Sequence, residues 1–475
     1  MRRLIAVLSF VAASNLLAQT PGTGGMQPAL VAVSWNWLLQ GEQPAGTVVP
    51  GAAAPRFPSP AFGGHPPDSR FPTPGSELTV YLMTMGHGDE IWERFGHNAI
   101  RIVDAARGTD SVYNWGTFDF HQPNFLQRFM TGNTLYWMQG DGIAEELEKY
   151  RYLNRSVWAQ ELNLTPEERV AVRDFIAWNA LPNNRYYRYD YYLDNCSTRV
   201  RDVIDRVIGG QLREASASRL TNTTYRFHTQ RLLQFDRAVA VGTNIGLGAV
   251  ADRPISAWEE MFLPARLQEH VRGVQLKNPD GSTRPLVKGE QQLFAAQRPP
   301  EPTQPPDHTL IYLATGLVIG GLVVMLTRAA NAGRRAARIA LATLTTTWAA
   351  LTGLLGAILI VGWAATRHVF MAWNENLLQF EPLSLGLAVV LPLAIMRGRA
   401  AHTAQRLSLV IALIALLGFV IQVLPGVDQV NGAVIALALP VHVALAWSMR
   451  ALATVHATSP APGAAARAVV SRSAA

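Results

Sequence analysis

The sequence predicts an α+β extracytoplasmic domain followed by an all-α bundle of five transmembrane helices. Three observations carry this. The C-terminal third breaks into five long apolar stretches, a mixed strand-and-helix pattern precedes it, and the arginines sort to alternate loops. A mean hydropathy of +0.10 over 475 residues agrees with a chain partly embedded in lipid.

Residues 1–18 read as a signal peptide, with Arg2 and Arg3 ahead of the apolar run Leu4–Leu17. That run is short for a span, although an uncleaved anchor is the alternative. Val11-x-Ala13 suits cleavage better than Leu16-x-Ala18. Residues 19–76, rich in Pro, Gly and Ala, form a disordered tether with an apolar island at Ala29–Leu39.

Residues 77–295 form the soluble domain. Leu78–Met83, Ile100–Val103 and Ser111–Trp115 read as strands. Thr165-Pro166-Glu167-Glu168 opens a helix that runs to Trp178. A second helix spans Cys196–Ile208 and stops at Gly209-Gly210. Residues 296–308 are a Pro-rich linker. Residues 309–450 hold five spans: Thr309–Leu326, Ile339–Thr366, Pro382–Met396, Leu407–Leu424 and Gly432–Met449. Residues 451–475 are a cytoplasmic tail.

The charge pattern tests this topology. Of the 11 Arg after residue 300, ten fall in the loops after spans one and three or in the tail. Only Arg367 lies on the other side, together with all five acids, Glu301, Asp307, Glu375, Glu381 and Asp428. Arginine marks the cytoplasmic side, so the soluble domain is exported. The net charge of +7 belongs almost wholly to this apolar third, which argues against nucleic acid as a partner.

The single cysteine, Cys196, excludes an internal disulfide, and no Cys near residue 20 offers a lipid anchor. The chain lacks CxxC, HExxH and P-loop motifs, so no metal site and no cofactor are expected. Cys196 opens an amphipathic helix after Asp194-Asn195, where free N–H groups and the helix dipole favour thiolate. Its spacing to Val200, Val203 and Val207 turns the sulfur towards the packing surface.

A thiol nucleophile needs a base. His97, entering a strand in Phe95-Gly96-His97-Asn98-Ala99-Ile100, is the candidate; small Ala99 on its face would let a helix approach. Asn114 on the next strand would orient the imidazole, with Asp119 and His121 as other candidates for that role. His87 reads as a loop residue. A small buried thiol and a structural histidine remain the plain alternatives. Tyr186, Tyr187, Tyr189, Tyr191 and Tyr192 precede Cys196 and could line an acyl groove or pack the core. His442 falls inside the fifth span, where a bond to a neighbouring helix is its ordinary role.

FGHNAIRI, VYNWGTFDF with PNFLQRFMTG, and YYLDNCSTRVRDVI together resemble the Lnb N-terminal periplasmic domain family over roughly residues 77–270. His368 with Trp373-Asn374-Glu375-Asn376-Leu377-Leu378 resembles that family's outer loop between spans two and three. The Pro-rich segment before residue 77 departs from the pattern. The resemblance implies a periplasmic thiol domain on a membrane bundle in the bacterial inner membrane, of the kind that takes part in lipoprotein N-acylation. The order His then Cys also resembles permuted papain-like enzymes of the NlpC/P60 and lecithin–retinol acyltransferase types. On that resemblance Cys196 is nucleophile and His97 base.

Three functions compete. The first is acyl transfer between membrane-held lipid or lipoprotein substrates through an acyl-Cys intermediate. The second is an NlpC/P60-type cell-wall amidase or peptidase, for which five spans are superfluous. The third is a non-enzymatic membrane module. The outer loop Arg367–Glu381 is expected beneath Cys196, with Arg367, His368, Asn374 and Asn376 contacting substrate. Arg367, as the lone extracytoplasmic Arg of the bundle, is expected to meet a phosphate or Glu375.

Overall fold

The structure, a computed structural model, describes residues 70, 71 and 73–458. The expected signal peptide, the tether up to residue 69 and the tail beyond 458 lie outside the described residues. Strands β1 (Leu78–Met85), β2 (His97–Asp104) and β3 (Thr109–Thr117) lead to α1 (Phe125–Met130). Then follow β4 (Leu135–Gly142), α2 (Ile143–Tyr152), β5 (Val157–Leu162), α3 (Pro166–Asn179), β6 (Tyr186–Arg188) and α4 (Cys196–Val207). Five shorter helices come next: α5 (Gln211–Ser216), α6 (Tyr225–Leu233), α7 (Arg237–Gly246), α8 (Ala257–Glu260) and α9 (Pro264–Arg272). Strands β7 (Gln275–Lys277), β8 (Thr283–Pro285) and β9 (Val287–Phe294) end the soluble part.

Seven strands form one antiparallel sheet in the order β6-β4-β3-β2-β1-β5-β9. Central β1 is apolar on both faces because both are covered. Leu78, Val80 and Leu82 join Ile100, Val200 and Ile204 under α3, α4 and α9. Met83 and Met85 join Ala99, Val112 and Tyr150 under α2. The expected capping signals are present. Thr165 Oγ1 accepts from the Glu168 N–H while Glu168 reaches back to Thr165 N–H. Gly209 and Gly210 end α4 with positive φ.

The C-terminal part holds α10 (Thr309–Asn331), α11 (Arg335–Ala365), α12 (Leu383–Arg397), α13 (Ala401–Val420) and α14 (Gly432–Thr458). Five segments here are long and apolar enough to cross a membrane; the third of them counts Val369–Arg397 together. Connections 366–382 and 421–431 lie on the soluble domain's side, and the Arg-bearing turns at 332–334 and 398–400 lie at the opposite helix ends. The papain-like permutation expected from the family resemblance is not needed to describe this arrangement. What the structure shows is an α+β sheet domain joined to five long apolar helices.

The two parts interlock. Phe370, in the loop after α11, sits between Tyr192 and Tyr225 with ring centroids 4.4 and 4.9 Å away, inside a buried cluster with Phe262 and Leu247. The backbone joins as well: Gly248 N–H donates to the Phe370 carbonyl at 2.7 Å, and Ala249 N–H to that of Trp373 at 3.2 Å.

Candidate functional site

His97 and Asn114 meet because of register. Ala99 pairs with Asn114 across β2 and β3, so His97 lies on the same face one diagonal step away. His97 Nε2 is 3.0 Å from Asn114 Oδ1. Asn114 Nδ2 in turn donates to Glu146 Oε1 at 2.5 Å. Glu146 is buried on α2 and has Lys149 Nζ 3.8 Å from its other oxygen. A carboxylate acceptor turns the amide nitrogen of Asn114 towards α2 and its oxygen towards the imidazole. Nε2 of His97 therefore carries the proton, and Nδ1 is the nitrogen able to take one from a thiol. Ala99 does admit a helix beside His97, and that helix is α2.

Cys196 begins α4 at the end of the sheet. Gly116, with φ 95° at a bulge in β3, opens the strand there, and a Cβ at Gly116 would stand 3.6 Å from Cys196 Cβ. Ser197 pins the helix start by donating to Asn98 Oδ1 at 2.8 Å and lying 2.7 Å from the Met261 carbonyl. The Cys196 sulfur thereby faces the backbone N–H of Asn98, the residue next to His97. No hydrogen bond joins the sulfur to the imidazole.

The electrostatics correct one expectation. Burial pushes the Cys196 thiol up, against the opposing N–H groups of Asn98, Ser197 and Cys196 itself. The helix start does not produce a thiolate because burial outweighs these N–H groups, and Asn195 Oδ1 shares that of Ser197 and takes that of Thr198, at 2.9 Å each. Burial also lowers His97 to about 3, opposed by the Asn114 bond and assisted by Arg155 and Lys149. The Glu146 carboxyl is pushed up by burial, with Lys149 and Asn114 opposing. At neutral pH the two groups are thus thiol and neutral imidazole and not a preformed ion pair.

The remaining candidates fall elsewhere. Asp119 and His121 pair with each other at 3.0 Å on the surface and do not reach His97. His87 lies in the loop after β1. Arg367 is exposed, its N–H donating to the Thr131 carbonyl at 2.9 Å. Its expected partner Glu375 instead accepts from Gln422 Nε2 at 2.8 Å, so Arg367 is not held by that acid. His368 Nε2 is 3.0 Å from the Phe129 carbonyl, and its ring stacks on Tyr191 at 6.3 Å. Asn374 and Asn376 are buried. Their amides donate to the carbonyls of Ile245 and Gly246 at 2.9–3.0 Å, so they clamp α7 to the bundle. His442 bonds not to a neighbouring helix but to the connection between α11 and α12, with Nε2 2.9 Å from the Gln379 carbonyl.

The loop between spans two and three reaches the thiol through tyrosines. Tyr191 lies edge-on to Tyr189 at 6.0 Å, and Tyr189 stands against Gly116, beside Cys196. Sequence reasoning missed Glu146, Gly116 and the Asn98–Ser197 pair. Glu146 alone left a signal: an acid on the apolar stripe Ile143, Leu147 and Tyr150 of α2. Among the described residues no cluster of His, Cys, Asp or Glu is arranged to hold a metal ion.

Residues 73–233 match the family model described as the Lnb N-terminal periplasmic domain. No curated protein and no solved structure matches the chain. The match supports the Lnb family for the sheet domain, and with the five apolar helices it describes a membrane protein bearing an Lnb-type periplasmic domain.

Proposed function

We propose that an Lnb-type periplasmic domain seated on a membrane bundle serves here as a thiol acyltransferase of the bacterial inner membrane, acting on lipid or lipoprotein substrates. The observation that carries this reading is that the Cys196 sulfur faces the N–H of Asn98, next in sequence to the bonded chain His97–Asn114–Glu146, and that Tyr189 and Tyr191 lead from the thiol to the outer loop of the bundle. His97 Nδ1 takes the thiol proton as sulfur attacks an ester carbonyl. The alcohol leaves with that proton, and a thioester remains on Cys196. An amine then attacks the thioester, His97 removes its proton, and the amide departs as the thiol re-forms. Backbone N–H groups gathered at the sulfur supply donors where the oxyanion would form. Holding both substrates in one membrane raises their effective concentration at the thiol.

The test is the intact mass of the detergent-purified protein, wild type against Cys196→Ala. An added mass equal to a fatty acyl group minus a proton, present only with Cys196, is expected. Cleavage of muropeptides with no acyl adduct would favour the amidase reading. Indifference of every lipid and cell-wall readout to Cys196→Ser would leave a non-enzymatic module.

A further inference from the structure

The soluble domain carries an apolar surface that its own fold leaves uncovered. Trp92 (55% exposed), Phe120 (53%), Leu126 (45%) and Met130 (54%) stand out along the turn before β2, the end of β3 and helix α1. Their rings are organised: Trp92 meets Phe120 at 5.8 Å, and Phe120 meets Phe118 at 4.8 Å and Phe125 at 5.2 Å. Exposed apolar patches of this kind mark contact with a membrane or a partner.

Two continuities decide what covers it. At one end α1 touches the bundle. The Phe129 carbonyl bonds His368, the Thr131 carbonyl accepts from Arg367 N–H, and Gly132 packs on the Arg367 backbone, all at the outer end of α11. Leu126 and Met130 are thus presented where the apolar helices leave the membrane. At the other end the aromatic rings run inward. Phe118 meets Tyr136 at 5.0 Å, Tyr136 stacks on Tyr189 at 4.2 Å, and Tyr189 stands against Gly116 beside Cys196. The ring series therefore runs from the outer end of α11 to the residues beside Cys196.

We infer that this aromatic strip takes an acyl chain of a phospholipid from the outer face of the membrane and lays it from α1 towards Cys196. The inference rests on the acyl-transfer reading for its purpose but not for its geometry. Rings suit an acyl chain because they offer broad apolar contact at little conformational cost. Arg367, exposed at the same end and in no ion pair within the described residues, stands where the phosphate of that lipid would sit.

The test uses the full chain in nanodiscs of phosphatidylethanolamine and phosphatidylglycerol containing a phospholipid with a photoreactive diazirine at the end of one acyl chain. After irradiation, labelled peptides are mapped in the wild type and in Cys196→Ala. Label on peptides covering 118–130 in both proteins is expected. Phe120→Asp and Leu126→Asp, each compared with the wild type below its own thermal midpoint, should cut that label about tenfold or more. Label confined to α10–α14, or label from a headgroup diazirine but not from the chain-end probe, would overturn the inference. Label on 118–130 without any acyl adduct on Cys196 would retain the lipid surface and remove the acyltransferase reading.

Discussion

Cys196 sits between opposing influences, and the geometry says which prevails. A helix start lowers a thiol pKa through its N–H groups, but burial outweighs them here, and Asn195 competes for that of Ser197. Because the chain has a single cysteine, alkylation reports on Cys196 alone. The rate of iodoacetamide modification should climb through pH 9 without the neutral-pH plateau of an activated thiolate; such a plateau would show that the helix start outweighs burial at Cys196. His97 gives a second pH signature. The fold keeps its imidazole neutral down to about 3, whereas the unfolded chain takes that proton near its ordinary value of about 6.5. Between those values the unfolded state binds more protons, so stability rises with pH and is eroded by acid. The thermal midpoint of the wild type should fall on acidification below about 6.5, and His97→Gln should fall less. Equal slopes would show that the histidine does not titrate on unfolding.

Elements were legible in proportion to how local their causes are. The helix at Pro166 is written in its Thr-Pro-Glu-Glu start, and α4 in its spacing and its terminal glycines, so both lie close to their expected bounds. The strands β1 to β3 were legible as apolar runs. Strands β4 and β9 were not, since polar residues such as Gln139, Asp141 and Glu290 interrupt the apolar pattern, and only pairing in the sheet explains them. Cys196 and His97 were legible as residue types at a helix start and a strand start, and Asn114 as an amide on the neighbouring strand. Glu146 was not, because only folding brings α2 onto Asn114. Gly116 was hidden for the same reason, and it yields a prediction at this scale. Its φ of 95° is foreign to L-residues, while a Cβ there meets only ordinary contacts. Gly116→Ala should therefore cost about 1–2 kcal/mol of stability through backbone strain. It should slow acyl-Cys formation further by shifting β3 against Cys196. A melt and an adduct time course on the same sample check both effects; an unchanged midpoint would show that the bulge is not strained by a side chain.

At the scale of the whole molecule, the outer loop after α11 divides into a structural half and an open half. Asn374 and Asn376 hold α7 by its last carbonyls, and Phe370 fills the core beside Tyr192 and Tyr225, so this half makes the sheet domain and the bundle one body. Arg367 and His368 lie at the other half, where α1 meets the helix ends and Tyr191 leads towards the thiol. The two halves should separate experimentally. Asn374→Ala leaves the carbonyls of Ile245 and Gly246 without this donor, at a cost of about 1–3 kcal/mol. Its thermal midpoint in detergent should drop, with acyl-adduct formation falling only as far as the folded fraction does. Arg367→Ala removes a guanidinium that makes no ion pair within the described residues, so its midpoint should stay at the wild-type value. Its adduct formation in anionic membranes should fall nonetheless, and Arg367→Lys should recover part of the loss by restoring the charge without the bidentate fork. Wild-type rates in Arg367→Ala would place lipid engagement elsewhere on the bundle, and an unchanged midpoint in Asn374→Ala would mean that the two parts are held together by Phe370 and the backbone alone.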